Sequence, residues 1–304
     1  MLVVLLALVP IAVILILGKV LASLKLLSAE GWIGLERITY FVLFPALIVS
    51  KLAVADFSEV DWRMPTALVG AQFALGAISF VGGALLGQGR DRLGVYVQSA
   101  VRWNTFFALA LALELMGPTG LALVAIAAAV MIPTANILSV VALMQFSGTP
   151  VKPMKLLKEL AVNPLVLACA IGLALNITQL RLPESAVEIL DLLAQGTIAL
   201  GLLTTGAAIQ IKGRSAPLAT VFGWSLLRLI GLPGLAGLLA LSLGVSSSVF
   251  MAIMIATAVP TAVNGTILAR QLGADAPLAA NLVACQTVLA IGTISAVLWV
   301  AGTL

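Results

Sequence analysis

Apolar positions in this chain fall into long blocks of helix length rather than into strand-like alternation. The blocks cover 2–24, 31–54, 63–87, 93–116, 119–146, 159–178, 187–211, 215–243, 245–270 and 277–302. Each holds on the order of 20 residues or more, enough to cross a hydrocarbon layer of about 30 Å at about 1.5 Å per residue. Backbone groups without partners cannot sit in lipid, so a span is a helix or a strand of a closed barrel, and only helices suit runs this long. Charge clusters or Pro/Gly breaks separate most blocks. The cuts at Gly117-Pro118 and at Gly244 carry no charge and predict tight turns. The longest polar stretch lies near 147–159, which leaves no room for a soluble domain. The pattern predicts an all-α integral membrane protein of ten transmembrane helices.

Composition agrees. Of 304 residues, 62% are hydrophobic and only 9% charged, with a mean hydropathy of +1.20. A soluble domain would carry roughly 25% charged residues, so most of this surface faces lipid. The first block has no basic residue before it, and Lys19 and Lys25 follow it, which suits a first membrane helix better than a cleaved signal peptide. Lys19, Lys25, Arg90, Arg92, Lys152, Lys155, Lys158, Lys212, Arg214 and Arg270 fall in alternate loops, and the opposite side keeps Lys51, Arg63 and Arg181. By the positive-inside rule the richer side is cytoplasmic and both termini lie outside. The basic balance is therefore topological, and no nucleic-acid partner is expected. Cys169 and Cys285 lie in apolar spans and read as reduced packing residues; there is no histidine, which excludes histidine-based zinc chemistry or proton transfer.

Ten spans divide into five plus five, and a second half of odd span number must be inverted relative to the first, a known build for secondary transporters. The expected division is 1–146, a cytoplasmic linker 147–158, and 159–304. Met64-Pro65 and Ala216-Pro217 open spans 3 and 8, and Arg102-Trp103-Asn104-Thr105 in span 4 is echoed by Ala262-Val263-Asn264-Gly265-Thr266 in span 9.

Polar residues inside spans are costly unless they face protein or water. The densest group is Val259-Pro260-Thr261-Ala262-Val263-Asn264-Gly265-Thr266. Proline removes a backbone donor and frees a carbonyl one turn back, Gly265 adds flexibility, and Asn264 offers both a donor and an acceptor. Such a break exposes half-helix ends whose positive N-terminus suits a carboxylate; the plainer reading is a proline kink healed by threonines. Asn104 and Thr105 in span 4 are the expected partners. Arg102 beside them either attracts an anion or snorkels to the interface. Asn136, after Pro133 in span 5, lines the cavity or bonds a neighbouring helix. Arg228 lies about a dozen residues inside span 8 and must face a polar cavity or a structural partner such as a helix C-terminus. Gln72, Gln286 and Thr287 read as inter-helix glue.

The acids, Glu36 among them, fall in loops or near span ends. A buried carboxylate relay for protons therefore has no evident carrier. Sodium held by carbonyl, Asn and Thr oxygens would need none, so Na+ and H+ both stay open as coupling ions. No nucleotide-binding glycine loop, histidine metal motif or pair of intramembrane aspartates is present, and no enzyme is expected.

Phe44-Pro45-Ala46-Leu47, Asn163-Pro164-Leu165-Val166 with Gly172-Leu173, and Pro260-Thr261-Ala262-Val263-Asn264 with Leu268-Ala269-Arg270-Gln271 resemble the auxin efflux carrier family. The run from Lys158 to Pro164 looks like the start of that family's sixth helix, and Arg228-Leu229-Ile230-Gly231-Leu232-Pro233 like its basic-then-proline segment in span 8. The resemblance runs along essentially the whole chain. It implies two inverted five-helix repeats, helices 4 and 9 broken and crossing at a central site, and alternating access by an elevator-like movement. On it, Asn104 and Asn264 are the paired crossover asparagines and the usual assembly is a homodimer. It further implies a bacterial member in the inner membrane, carrying a small carboxylate such as malonate, where plant members export indole-3-acetate. Span 4 departs from the pattern: it has no proline near Asn104, only Pro118 beyond its end, which predicts a less complete break there.

The function expected is therefore secondary transport or uniport of a small organic anion. Asn104, Thr105, Asn136, Pro260, Asn264 and Gly265 would form the site, with Arg228 and Arg102 drawing in the anion. A sodium-coupled symporter of the bile-acid type is the nearest alternative, and a channel or membrane sensor a more distant one.

Overall fold

The computed structural model of the protein describes residues 2–55, 62–147, 162–210 and 216–303, and these form helices without a strand. The greater part of the expected linker 147–158, with Lys152, Lys155 and Lys158, lies outside the described residues, as do Lys212 and Arg214. In chain order the helices are α1 (Leu2–Ser23), α2 (Ala29–Leu52), α3 (Arg63–Leu85), α4 (Arg90–Val101), α5 (Thr105–Ser147), α6 (Pro164–Thr178), α7 (Glu184–Ala208), α8 (Leu218–Leu243), α9 (Ser247–Ala258), α10 (Asn264–Gln271) and α11 (Ala276–Ala301). Seven helical stretches among the described residues are long and apolar enough to cross a membrane, and α6 and α9 are shorter apolar helices. One of the seven, Arg90–Gln145, is interrupted by the gap between α4 and α5 and turned at Gly117.

Both chargeless cuts are glycine turns. Gly117 takes φ 64° and ψ −153°, a region essentially closed to residues with a Cβ, and divides α5 into limbs 105–116 and 118–147. Gly244, at φ 67°, closes α8 in the left-handed conformation. Pro45 and Pro233 each leave a carbonyl one turn back without its N–H partner. In both helices the ladder widens to a π turn just ahead of the proline, at Thr39–Leu43 in α2 and Leu227–Gly231 in α8. Asn163 and Pro164 start α6, where the Asn163 side chain accepts from the N–H groups of Leu165 and Val166 and proline occupies the first helical position.

The helices pack as two groups, each drawing on both halves of the chain. In the first, α1 lies along α7, and α2 packs on α6 and α7. The α1–α7 crossing depends on glycine: a Cβ at Gly18 would collide with the Leu203 carbonyl, and one at Gly206 with the Leu15 carbonyl. Close backbone approach of this kind is how helices associate in lipid, where apolar burial alone gives no preference for a partner. Asn176 of α6 ties the end of α2 by donating to the carbonyls of Leu52, Ala53 and Ala55 at 3.1, 3.2 and 2.9 Å. In the second group α3 packs on α4 and α8, α4 on α5, and α9 on α5, α8 and α11. Large apolar side chains such as Leu6, Phe41, Leu192 and Val288 point outward and are exposed, as a lipid-facing surface requires.

Candidate functional site: a crossing of two broken helices

The site is built where α4 gives way to α5 and α9 to α10. Helix α4 stops at Val101, Arg102 is extended at φ −73° and ψ 155°, and α5 begins at Thr105. Helix α9 stops at Ala258, Val259 is extended at φ −71° and ψ 155°, and α10 begins at Asn264. The two gaps touch: the Asn104 N–H donates to the Pro260 carbonyl at 2.8 Å. The missing proline of span 4 does not spare that helix. Its break is complete, contrary to the expectation, and the reason lies in distant side chains.

In an unbroken helix the carbonyls of Val101 and Arg102 would accept from the N–H groups of Thr105 and Phe106. Here Gln72 of α3 donates to the Val101 carbonyl at 3.0 Å, and Arg228 of α8 to the Arg102 carbonyl at 3.2 Å. The second break is satisfied in the same way. Arg228 donates to the Thr257 carbonyl at 2.6 Å, and the Thr261 N–H that would have met it donates instead to Gln286 Oε1 of α11 at 2.9 Å. Arg228 is wholly buried and spans the C-terminal ends of both interrupted helices, where a cation offsets the partial negative charge of the open carbonyls. Gln72 and Gln286, read as glue from the sequence, bond the backbone of the breaks, whereas Thr287 donates within its own helix to the Val283 carbonyl.

The N-terminal ends are left differently. Asn104 caps α5 by accepting from the Phe107 N–H at 3.2 Å. The N–H groups of Thr105 and Phe106 have no acceptor among the described residues. They border a cavity of about 90 Å³, lined on one side by Arg102–Phe106, Ile132, Ala135, Asn136 and Ala262–Asn264. The opposite wall comes from the first helix group: Glu36, Tyr40, Phe44, Leu165, Thr204 and Thr205. The cavity thus sits at the junction of the two groups.

Arg102 dominates this cavity. It is buried rather than snorkelled, and its guanidinium donates to Ser139 Oγ at 3.1 Å, Asn264 Oδ1 at 3.1 Å and Asn136 Oδ1 at 3.0 Å. All three acceptors are neutral, so its charge is solvated without being cancelled. A guanidinium has five N–H donors and accepts nothing, so two remain, and the carboxamide atoms facing it must be oxygens. That turns the NH2 ends of Asn136 and Asn264 away from it, free of any acceptor among the described residues. The buried indole N–H of Trp103 also lacks a partner.

Of the eight residues the sequence singled out, Arg102, Asn104, Thr105, Asn136 and Asn264 line this cavity. Pro260 contributes its carbonyl to the crossing. Gly265 accepts from Gln98 Nε2 at 3.0 Å and lies on a smaller void beside Gln98, Ser99 and Thr261. Arg228 bonds only backbone carbonyls and does not reach the cavity wall. Sequence reading missed Ser139, although it stands one helical turn beyond Asn136 on the same face. It also left Glu36 at a span end, whereas that side chain lines the cavity.

A mostly apolar helical chain that buries so polar a crossing is a multi-pass membrane protein. Residues 149–299, close to half of the chain, match the membrane transport protein family, that of the auxin efflux carriers. Members of that family are membrane transporters rather than enzymes. No curated protein matches the chain.

Proposed function

We propose that the protein carries a small organic anion, a carboxylate of malonate-like or auxin-like size, through the cavity at the crossing. The observation that supports this most is the balance of donors and acceptors there. Arg102 is held by three neutral oxygens, the carboxamide NH2 groups of Asn136 and Asn264 are free, and the first two N–H groups of α5 are open. Positive helix ends and a guanidinium in a confined, mostly apolar setting favour an anion with planar oxygens.

The seven long helices, the turn inside α5 and the two shorter helices add up to ten crossings in our reading, as two inverted repeats over 1–146 and 159–304 with both termini outside. A cavity at the junction of two helix groups suits an elevator movement, in which the group carrying α4, α5, α9 and α10 slides against that formed by α1, α2, α6 and α7. A homodimer in a bacterial inner membrane is the assembly and setting we expect.

Uptake and efflux of labelled malonate, succinate, benzoate and indole-3-acetate in proteoliposomes test the reading. Asn264→Ala removes an acceptor for Arg102 and a free donor together, and is expected to abolish transport of whichever acid the normal protein carries. Transport that persists in Asn264→Ala with unchanged affinity, or no carriage of any acid, would remove the central claim.

A further inference from the structure

Glu36 has no role in the site as described, yet its side chain lines the cavity, half-buried, opposite Arg102. Its carboxylate has no hydrogen-bond or ion-pair partner among the described residues. A carboxylate inside a membrane protein is expensive unless a cation or a proton accompanies it. The helices around it supply little else. Tyr40 follows one turn on, its hydroxyl bonded to Asn163 Nδ2 at 3.1 Å. Neighbouring Arg37 is exposed, and Lys19 of α1 donates to the Ile209 carbonyl. The packed helix α7 keeps its acids, Glu184, Glu188 and Asp191, in its first two turns, and 192–208 has no titratable group. The cavity's other charge is Arg102.

We propose that Glu36 carries a coupling proton, so that each organic anion binding beside Arg102 is accompanied by one proton taken up on the Glu36 carboxylate. The inference rests on the anion-carrier reading and adds its energetics. In the empty cavity Arg102 and ionised Glu36 sum to zero charge. An entering monoanion makes two negative groups against one guanidinium, and two carboxylates sharing one site do not both stay ionised. A proton from the aqueous side joins a Glu36 oxygen, and the loaded cavity, with Arg102 positive, the substrate negative and Glu36 neutral, again sums to zero. No carboxylate then moves through the membrane uncompensated, and a proton gradient drives the anion in the same direction as the proton.

The test is proton uptake on binding. Purified protein in weakly buffered detergent solution with a pH indicator is titrated with monomethyl malonate, monomethyl succinate, benzoate and indole-3-acetate, all monoanions at neutral pH, and binding is followed in parallel by calorimetry. The normal protein is expected to take up close to one proton per monoanion bound, and its affinity to weaken about tenfold per pH unit above neutrality. Glu36→Gln is expected to bind the same acid at least as tightly, take up no proton and lose the pH dependence. In proteoliposomes it keeps exchange of labelled for unlabelled acid and loses accumulation driven by a pH gradient. Binding without proton uptake by the normal protein, or equal uptake by Glu36→Gln, overturns the proposal and leaves the anion carrier standing. Binding of none of the acids overturns both. If Glu36→Gln does not fold, the pH dependence of the normal protein's affinity still decides, a flat profile counting against the proposal.

Discussion

The two breaks at the crossing reach the same geometry from opposite sequences. The gap 259–263 contains Pro260 and no charge, while the gap 102–104 contains Arg102 and no proline. In both, a carbonyl and the N–H four residues on are each denied the other. Gln72 and Arg228 take the carbonyls of the first gap, and Arg228 and Gln286 take the two ends of one bond in the second. A helix can therefore be interrupted by occupying its acceptors from neighbouring helices, without a residue that forbids helix locally. The comparison also separates two arginines that look alike in sequence. Arg228 serves the negative helix ends and lies away from the cavity, its Nη2 buried without a partner, whereas Arg102 lines the cavity and keeps donors there.

The comparison can be broken most severely at Arg228. Arg228→Met keeps the bulk but leaves the carbonyls of Arg102 and Thr257 without donors, and should cost about 3–5 kcal/mol, read as a large fall in thermal stability in detergent. Arg228→Lys, with a point charge in place of a fork, should recover only part of it. A stable Arg228→Met protein with normal transport would show that the helix ends hold without it.

Gln286→Leu tests the second gap alone. It removes the acceptor of the buried Thr261 N–H, and a loss of about 1–3 kcal/mol is expected from thermal unfolding. Pro260→Ala should do less, under about 1 kcal/mol, because the carbonyl at 260 still accepts from Asn104 and Thr261 stays tied to Gln286. If Pro260→Ala proves the more damaging of the two, the proline and not the lacing makes that break. Gly265→Ala should be milder again, within about 0.5 kcal/mol, since an added Cβ meets its nearest neighbour, Gln98 Oε1, at an ordinary 3.4 Å.

The helical architecture was legible because lipid forces long apolar runs and makes each interior polar residue conspicuous. Asn104, Asn136 and Asn264 were found on that ground, and Pro260 by its missing donor. The turns at Gly117 and Gly244 were legible because the angles at Gly117 are essentially closed to other residues and the left-handed turn at Gly244 favours glycine. The break at 102–104 was not, since its causes are Gln72 on another helix and Arg228 far along the chain, neither of which leaves a mark near Asn104 itself. Nor was the place of Glu36. It stands early in α2, and only the packing of α2 and α7 against the crossing turns it into part of the cavity wall. The grouping of helices from both halves was hidden for the same reason, being carried by contacts such as Gly18 on Leu203 and Gly206 on Leu15.

Calorimetric titration of the purified protein and of Arg102→Gln with malonate, succinate, benzoate and indole-3-acetate bears most directly on the claim that this crossing is an anion site. The normal protein should bind at least one of these acids. Arg102→Gln, folded as judged by its thermal transition, should bind that acid about a hundredfold more weakly, the loss of about two charge-assisted hydrogen bonds. An unchanged affinity in Arg102→Gln would place the anion elsewhere and contradict the site described.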